Sequence, residues 1–88
     1  MVERTVGVVN PLGLHARAAA RFVSLAGTFE CHIRVGRSSR VVDGKSILGL
    51  LLLAAARGTT LRITADGVDE VAAVEALRAL VERGFEET

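Results

Sequence analysis

Apolar residues repeat with two different spacings along this chain of 88 residues, and segments of the two kinds alternate. This pattern constrains the fold more than any other feature. Three short segments, residues 5–9, 31–36 and 60–65, have an apolar residue at every second position, the pattern of strands that bury one face. A fourth short strand, residues 40–43, is predicted after the turn-like sequence GRSS. Three other segments carry apolar residues three and four positions apart, which predicts helices. The predicted order is strand, helix, strand, strand, helix, strand, helix.

Because each strand is apolar on one side only, we predict an α+β fold in which a mostly antiparallel sheet carries the helices on one face. A chain of this length makes one domain, residues 1–88, around one core. The side chains expected in that core are Val6, Val8, Ala19, Phe22, Val23, Ala26, Cys31, Ile33, Val35, Leu61, Ile63, Ala65, Val71, Val74, Leu77 and Leu80.

The expected helix ends follow from residue chemistry. Ser46 is predicted to cap the middle helix, which begins at Ile47 and continues to about residue 54. Asp69 is predicted to cap the last helix, with Glu70 in its positive first turn. Gly84 stands where a glycine would end that helix in a left-handed conformation.

Composition excludes several classes of protein. One cysteine, Cys31, excludes an intramolecular disulfide framework, and the N-terminus has no apolar run of signal-peptide length, so we expect a cytoplasmic protein. The longest apolar run, residues 47–56, is ten residues, about half of a membrane span. Residues 1–62 carry nine basic and three acidic side chains and residues 63–88 carry two and seven, which suits an acidic partner or a phosphate. The bases are scattered and Tyr and Trp are absent, which disfavours nucleic-acid binding.

The stretch NPLGLHARAAA places His15 where the first strand has ended and an alanine-rich helix begins. Free backbone N–H groups and the positive end of the helix dipole disfavour a protonated imidazole there and favour a bound anion. His15 is therefore a candidate phosphoryl acceptor, and Arg17 is close enough in sequence to donate two hydrogen bonds to the phosphate. A lone histidine at a helix start is more often a surface or capping residue, and the residues alone leave that alternative open.

Other roles for His15 have less support. The other histidine, His32, is predicted on the solvated face of a strand, and no cysteine or carboxylate stands at ligand spacing, so no metal site is expected. A Ser-His-Asp hydrolase lacks its nucleophile elbow. No cofactor is expected either.

The second notable stretch is DGKSILGL, which looks like the end of a nucleotide-binding P-loop. That motif needs a glycine five residues before Gly44, and position 39 is serine, so the nucleotide interpretation fails. The helix that follows is apolar all round. With Leu50 and Leu53 towards the core, an outward apolar surface remains, which marks a protein partner unless loops cover it. The outward residues are Ile47, Leu48, Leu51 and Leu52.

GLHAR at residues 13–17 and GKSILGL at residues 44–50, with the predicted element order, resemble the histidine-containing phosphocarrier family, HPr, of the bacterial phosphoenolpyruvate:sugar phosphotransferase system. The resemblance covers nearly the whole chain. It implies an open-faced β-sandwich of four antiparallel strands and three helices. It also implies a carrier, not an enzyme, in which His15 takes a phosphoryl group from phosphorylated enzyme I and passes it to a sugar-specific enzyme IIA domain.

The resemblance also implies roles for other residues. Ala16 and Arg17 would bind the phosphate, with Arg17 neutralising its charge. Ser46 would match the serine that a dedicated kinase modifies in some members, which adds an HPr kinase/phosphorylase and a transcriptional regulator to the partners. We expect a monomer that does not enter membranes. The partner surface is assigned to Ala20, Arg21, Ile47, Leu48, Leu51 and Leu52.

Two departures from the family pattern leave alternatives open. Position 18 is alanine where the family usually has proline, and the partner-facing helix has Leu48 and Leu51 where many members have Met or Phe. The first departure loosens the helix start without removing a donor. The alternatives to a sugar-system carrier are a regulatory binding protein of the same fold that acts through Ser46, and a carrier of a nitrogen-regulatory branch.

Overall fold

A computed structural model describes residues 1–86 and confirms the predicted element order. A single 3-10 turn ends the described chain. No helix in residues 1–86 has the length and apolar character needed to cross a bilayer. The elements are β1 (Val2–Gly7), α1 (Ala16–Ala26), β2 (His32–Arg37), β3 (Arg40–Asp43), α2 (Ile47–Leu52), β4 (Thr60–Asp66), α3 (Glu70–Glu82) and the turn Gly84–Glu86.

The four strands form one antiparallel sheet in the order β1-β4-β2-β3, with the three helices on one face. β4 lies between β1 and β2 and pairs with both. Ile63 of β4 is therefore opposite Arg4 on one side and Val35 on the other. The predicted α+β open-faced β-sandwich is confirmed. Every strand residue predicted to face inward is buried: Val6, Cys31, Ile33, Val35, Leu61, Ile63 and Ala65, together with Val8 just beyond β1.

β1 begins earlier than its sequence pattern predicts, at Val2 instead of residue 5. The pattern is interrupted by Arg4, which shares the inward parity of Val2 and Val6 but is exposed. Its guanidinium forms an ion pair with Glu75 of α3, at 3.0 Å between Nε and Oε2. Arg4 can therefore lie on the helix side of β1, because Glu75 of α3 provides a carboxylate that pairs with it.

α1 and α3 bury the stripes that their spacing predicts, with one error. Val71 was predicted in the core and is 56% exposed, whereas Ala73 and Val81 are buried. A helix turns about 100° per residue, which places Val71 about 120° from the middle of the buried stripe. Along α3 the buried residues are Ala73, Val74, Leu77, Leu80 and Val81, and along α1 they are Ala18, Ala19, Phe22 and Ala26, with Val23 half-buried.

The predicted caps have mixed outcomes. Ser46 caps α2 as expected, since its hydroxyl accepts the Gly49 N–H at 3.0 Å, and Gly84 is left-handed with a φ of 66°. Asp69 stands at the N-cap of α3, but the prediction that its side chain caps the helix is wrong. Its carboxylate instead accepts the N–H groups of Glu30 and Cys31, at 2.8 and 3.0 Å. Asp69 thus holds the chain that enters β2.

These contacts give folding a pH dependence. The backbone N–H of Glu30, more than any other group, holds the pKa of the Asp69 carboxyl below its ordinary value. A lowered pKa in the folded state means that the carboxylate stabilises the fold above the pKa of the unfolded chain. That contribution is lost as the pH falls through the folded pKa.

We therefore expect Asp69→Asn to lower the thermal unfolding midpoint at about pH 7, and to lower it progressively less as the pH falls through the lowered pKa of the parent Asp69 carboxyl, which is then protonated as well. Measuring the difference between variant and parent at each pH cancels the titration of the other carboxyls. Thermal unfolding followed by circular dichroism gives both midpoints. A difference that stays constant across this range would show that the Asp69 charge does not contribute.

Candidate functional site

His15 is the N-cap residue of α1, as predicted. Its φ of −80° and ψ of −179° are extended, and its carbonyl accepts the Ala19 N–H at 2.8 Å, the first hydrogen bond of the helix. The imidazole makes no capping hydrogen bond, so the side chain does not cap the helix, and the residue is half-buried. By helix geometry the N–H groups of the next three residues have no acceptor within the helix. These residues are Ala16, Arg17 and Ala18.

The loop that carries His15 is held by hydrogen bonds to its backbone. The buried Asn10 donates from Nδ2 to the Gly13 carbonyl at 2.8 Å, and Gly13 N–H donates to the Asn10 carbonyl at 3.1 Å. The buried Leu14 donates its N–H to the Ala55 carbonyl at 2.9 Å. The loop after β1 therefore rests on the segment that follows α2.

Gly13 is required at this junction for two reasons. Its φ is 65°, in the left-handed region, and a Cβ there would collide with the Ala55 carbonyl oxygen and lie 2.9 Å from Ala56 Cα. GLHAR is evident in the sequence, but Asn10, Leu14 and Ala55, which support it, are not among the predicted residues. The turn sequence NPLG was the available signal, but nothing in the sequence indicated that Ala55 would meet it.

Two arginines lie on α1 close to His15. Arg17 is exposed in the first turn, as predicted, and Ala16 and Ala20 are exposed beside it. Arg21 is also exposed, but its Nη1 donates to the Phe85 carbonyl at 2.6 Å. Arg21 therefore ties α1 to the buried C-terminal turn, a contact that sequence spacing did not indicate.

The outward side of α2 is an apolar surface, which we call the α2 patch. The alternative that loops cover it is wrong for the described residues 1–86, and Leu50 and Leu53 are buried as predicted. α2 packs against α1, so the patch belongs to the same side of the molecule as the helix of His15. The patch consists of Ile47, Leu48, Leu51 and Leu52, with exposed fractions of 42, 68, 37 and 56%.

α2 itself is shorter than predicted and ends at Leu52. Ala54 follows in a left-handed conformation with a φ of 50°, which stops the helix. Ser46, the half-buried cap, directly precedes the α2 patch. Beside it, Lys45 donates from Nζ to the Phe29 carbonyl at 2.6 Å.

His32 lies exposed on the outer side of the sheet, as predicted. It alternates with the buried Ile33 along β2 and therefore lies on the face away from the helices. Residues 1–86 contain no group of three side chains able to hold a metal ion.

Residues 2–83 match the model of the family described as "PTS HPr component phosphorylation site". The chain belongs to the HPr phosphocarrier family of the phosphotransferase system. Phosphocarrier protein HPr of Cupriavidus necator is 45% identical to it, over 99% of this chain and 98% of that protein. The crystal structure of HPr-C-His from Thermoanaerobacter tengcongensis superposes with a TM-score of 0.95 at 40% identity and covers 100% of this chain and 99% of its own.

A second solved HPr structure from Thermoanaerobacter tengcongensis is a dimer, with a TM-score of 0.79 at 40% identity over 99% of this chain and 100% of that one. HPr-family membership and the shared fold agree with the geometry built from the residues. The chain is thus a phosphocarrier in class, with His15 at the helix start as its candidate phosphoryl acceptor.

Proposed function

We propose that His15 accepts a phosphoryl group from phosphorylated enzyme I and donates it to sugar-specific enzyme IIA domains. The observation that carries the proposal is the position of His15 at the N-cap of α1, where three N–H groups have no acceptor within the helix. In the first transfer a ring nitrogen forms the bond to phosphorus while the bond from phosphorus to enzyme I breaks, and its electron pair stays with enzyme I. The second transfer repeats these changes with His15 as the donor.

The phosphorylated state is stabilised by the helix start. Oxygens on phosphorus at His15 come close to the N–H groups of Ala16 and Arg17, and the dipole of α1 favours negative charge there. α1 carries Arg17 and Arg21 and no acidic residue. The Arg17 guanidinium supplies a mobile positive charge that follows the phosphoryl group as it transfers.

The partner surface comprises Ala20, Arg21 and the α2 patch. It combines exposed leucines with the basic side of α1, whereas the acidic residues Glu70, Glu75 and Glu82 lie on α3. This division favours partners that offer an apolar pocket with an acidic rim. We propose that the carrier is cytoplasmic. We also propose that it is a monomer, since the α2 patch must be accessible to enzyme I and to the IIA domains in turn.

A second candidate function is regulation through Ser46, which the cap geometry favours. Its hydroxyl lies directly before the α2 patch and contacts Gly49 N–H. A kinase that modifies this serine would add about two negative charges beside the patch. We propose an HPr kinase/phosphorylase and a transcriptional regulator as the partners of that state.

Incubation with phosphoenolpyruvate and enzyme I should place acid-labile, base-stable phosphate on His15. His32→Ala should be labelled as the parent is, and His15→Ala should not be labelled. Mass spectrometry of the intact chain measures the label. Supplying instead the phosphodonor of a nitrogen-regulatory branch distinguishes the two branches. If neither donor labels His15, the carrier proposal is wrong.

Arg17→Ala should slow phosphoryl transfer roughly a hundredfold, since one charge-stabilising donor at such a site is worth about 3 kcal/mol of barrier. The melting temperature should change little because Arg17 is exposed. Arg34→Ala, which removes the same charge from the outer side of the sheet, is the control and should transfer at the parent rate. Rapid-quench kinetics measure both variants. Parent-like transfer in Arg17→Ala would show that the backbone N–H groups suffice.

Ser46→Asp should keep the melting temperature and weaken binding to enzyme I, because Asp caps a helix well but adds negative charge beside the α2 patch. Ser46→Asn is the matched control, since it also caps the helix and adds no charge. Calorimetric titration at low and high salt measures the affinity, and the loss should be larger at low salt. Equal affinities of the Asp and Asn variants at low salt would refute the switch.

A further inference from the structure

The segment that supports the His15 loop is itself held by the β2–β3 hairpin. Arg37, the last residue of β2, is half-buried and donates from Nη1 to the carbonyls of Leu53 and Ala54, at 2.9 and 3.4 Å. Arg40, its register partner on β3, donates to the Leu52 carbonyl at 2.6 Å. Two arginines therefore satisfy three successive carbonyls at the end of α2, which otherwise lack helical partners.

Arg37 makes two of these contacts, and the longer one, at 3.4 Å, is to a strained residue. Ala54 has a φ of 50°, and a non-glycine residue in that conformation persists only where its surroundings hold it. Its N–H donates to the Leu51 carbonyl at 3.1 Å, and its carbonyl lies within reach of Arg37. The Arg40 contact is two residues earlier, on Leu52, which is helical.

The carbonyl of the next residue, Ala55, contacts the loop that carries His15. Ala55 accepts the Leu14 N–H at 2.9 Å, and Leu14 directly precedes His15. The backbone direction at Ala54 sets where the Ala55 carbonyl points, so release of Ala54 would move the acceptor of that bond. The hairpin is fixed in turn, because Arg62 of β4 donates from Nη2 to the Ser38 carbonyl at 2.6 Å.

We propose that Arg37 is a positioning residue for His15. It holds Ala54 in its left-handed conformation, which keeps the Ala55 carbonyl under the loop and the imidazole at the start of α1. Arg37 does not touch the phosphoryl group in this proposal. The role of Arg37 in phosphoryl transfer rests on the function proposed above, whereas its role in holding the loop does not.

The structural part is tested by amide hydrogen exchange in the unphosphorylated protein. Arg37→Met keeps the aliphatic length and removes the donors, so the Leu14 amide should exchange about tenfold faster, the factor expected when a left-handed alanine loses its support. Arg40→Met removes the same charge from the same hairpin and should leave Leu14 exchange at the parent rate. Equal effects of the two variants, or none from Arg37→Met, would overturn the proposal.

A second variant tests the cause. Glycine adopts a positive φ without the steric penalty of alanine, so Ala54→Gly in the Arg37→Met background should restore slow exchange at Leu14. Failure of this rescue would overturn the assignment of Arg37 to Ala54. In enzyme I assays, Arg37→Met should lower kcat about tenfold with little change in KM for the carrier, and Ala54→Gly should restore kcat. A raised KM with unchanged kcat would make Arg37 a partner contact instead.

If no variant or parent is phosphorylated, the carrier function fails while the exchange result still decides the structural claim. If the parent is phosphorylated and exchange at Leu14 is insensitive to Arg37, the positioning claim fails and the carrier function stands.

Discussion

The hydrogen bond from the Leu14 N–H to the Ala55 carbonyl is the contact on which the site depends. It joins the loop after β1 to the segment after α2, which are about forty residues apart in the chain. Gly13 makes this contact possible, because a side chain there would strike the Ala55 carbonyl. The position of His15 at the helix start therefore depends on the contact between the loop after β1 and the segment after α2. β1 and β4, which flank these two segments, bring them together.

The sheet provides the fixed frame for that contact. β1 pairs with β4 along the full length of β1, and Val8 continues the connection beyond β1 through hydrogen bonds with Thr59 and Gly58, each 2.8 Å. The loop that carries His15 thus leaves the sheet beside the start of β4. His15 lies at the end of this short loop, where α1 begins, an arrangement that holds a side chain in place and yet leaves it accessible.

α2 contributes one side to the core and leaves an apolar surface exposed on the other. Leu50 and Leu53 are fully buried, whereas the α2 patch is left exposed. Burying the whole helix would need a second layer of structure that a chain of this size does not contain. The exposed leucines cost solubility, and the basic residues of α1 with the acidic residues of α3 keep the rest of the surface polar.

The sequence by itself determined the element order, the inward residues of the strands, the Ser46 cap and the place of His15, because each depends on neighbours within about four positions. It did not determine the partners of Asp69, Arg4, Arg21 or Arg37. A charged or polar side chain has the same local pattern whether it faces water or a distant carbonyl. Which of these it meets depends on chain segments that only the tertiary structure brings together. For that reason the sequence indicated His15 as the candidate acceptor but not the residues that support its loop.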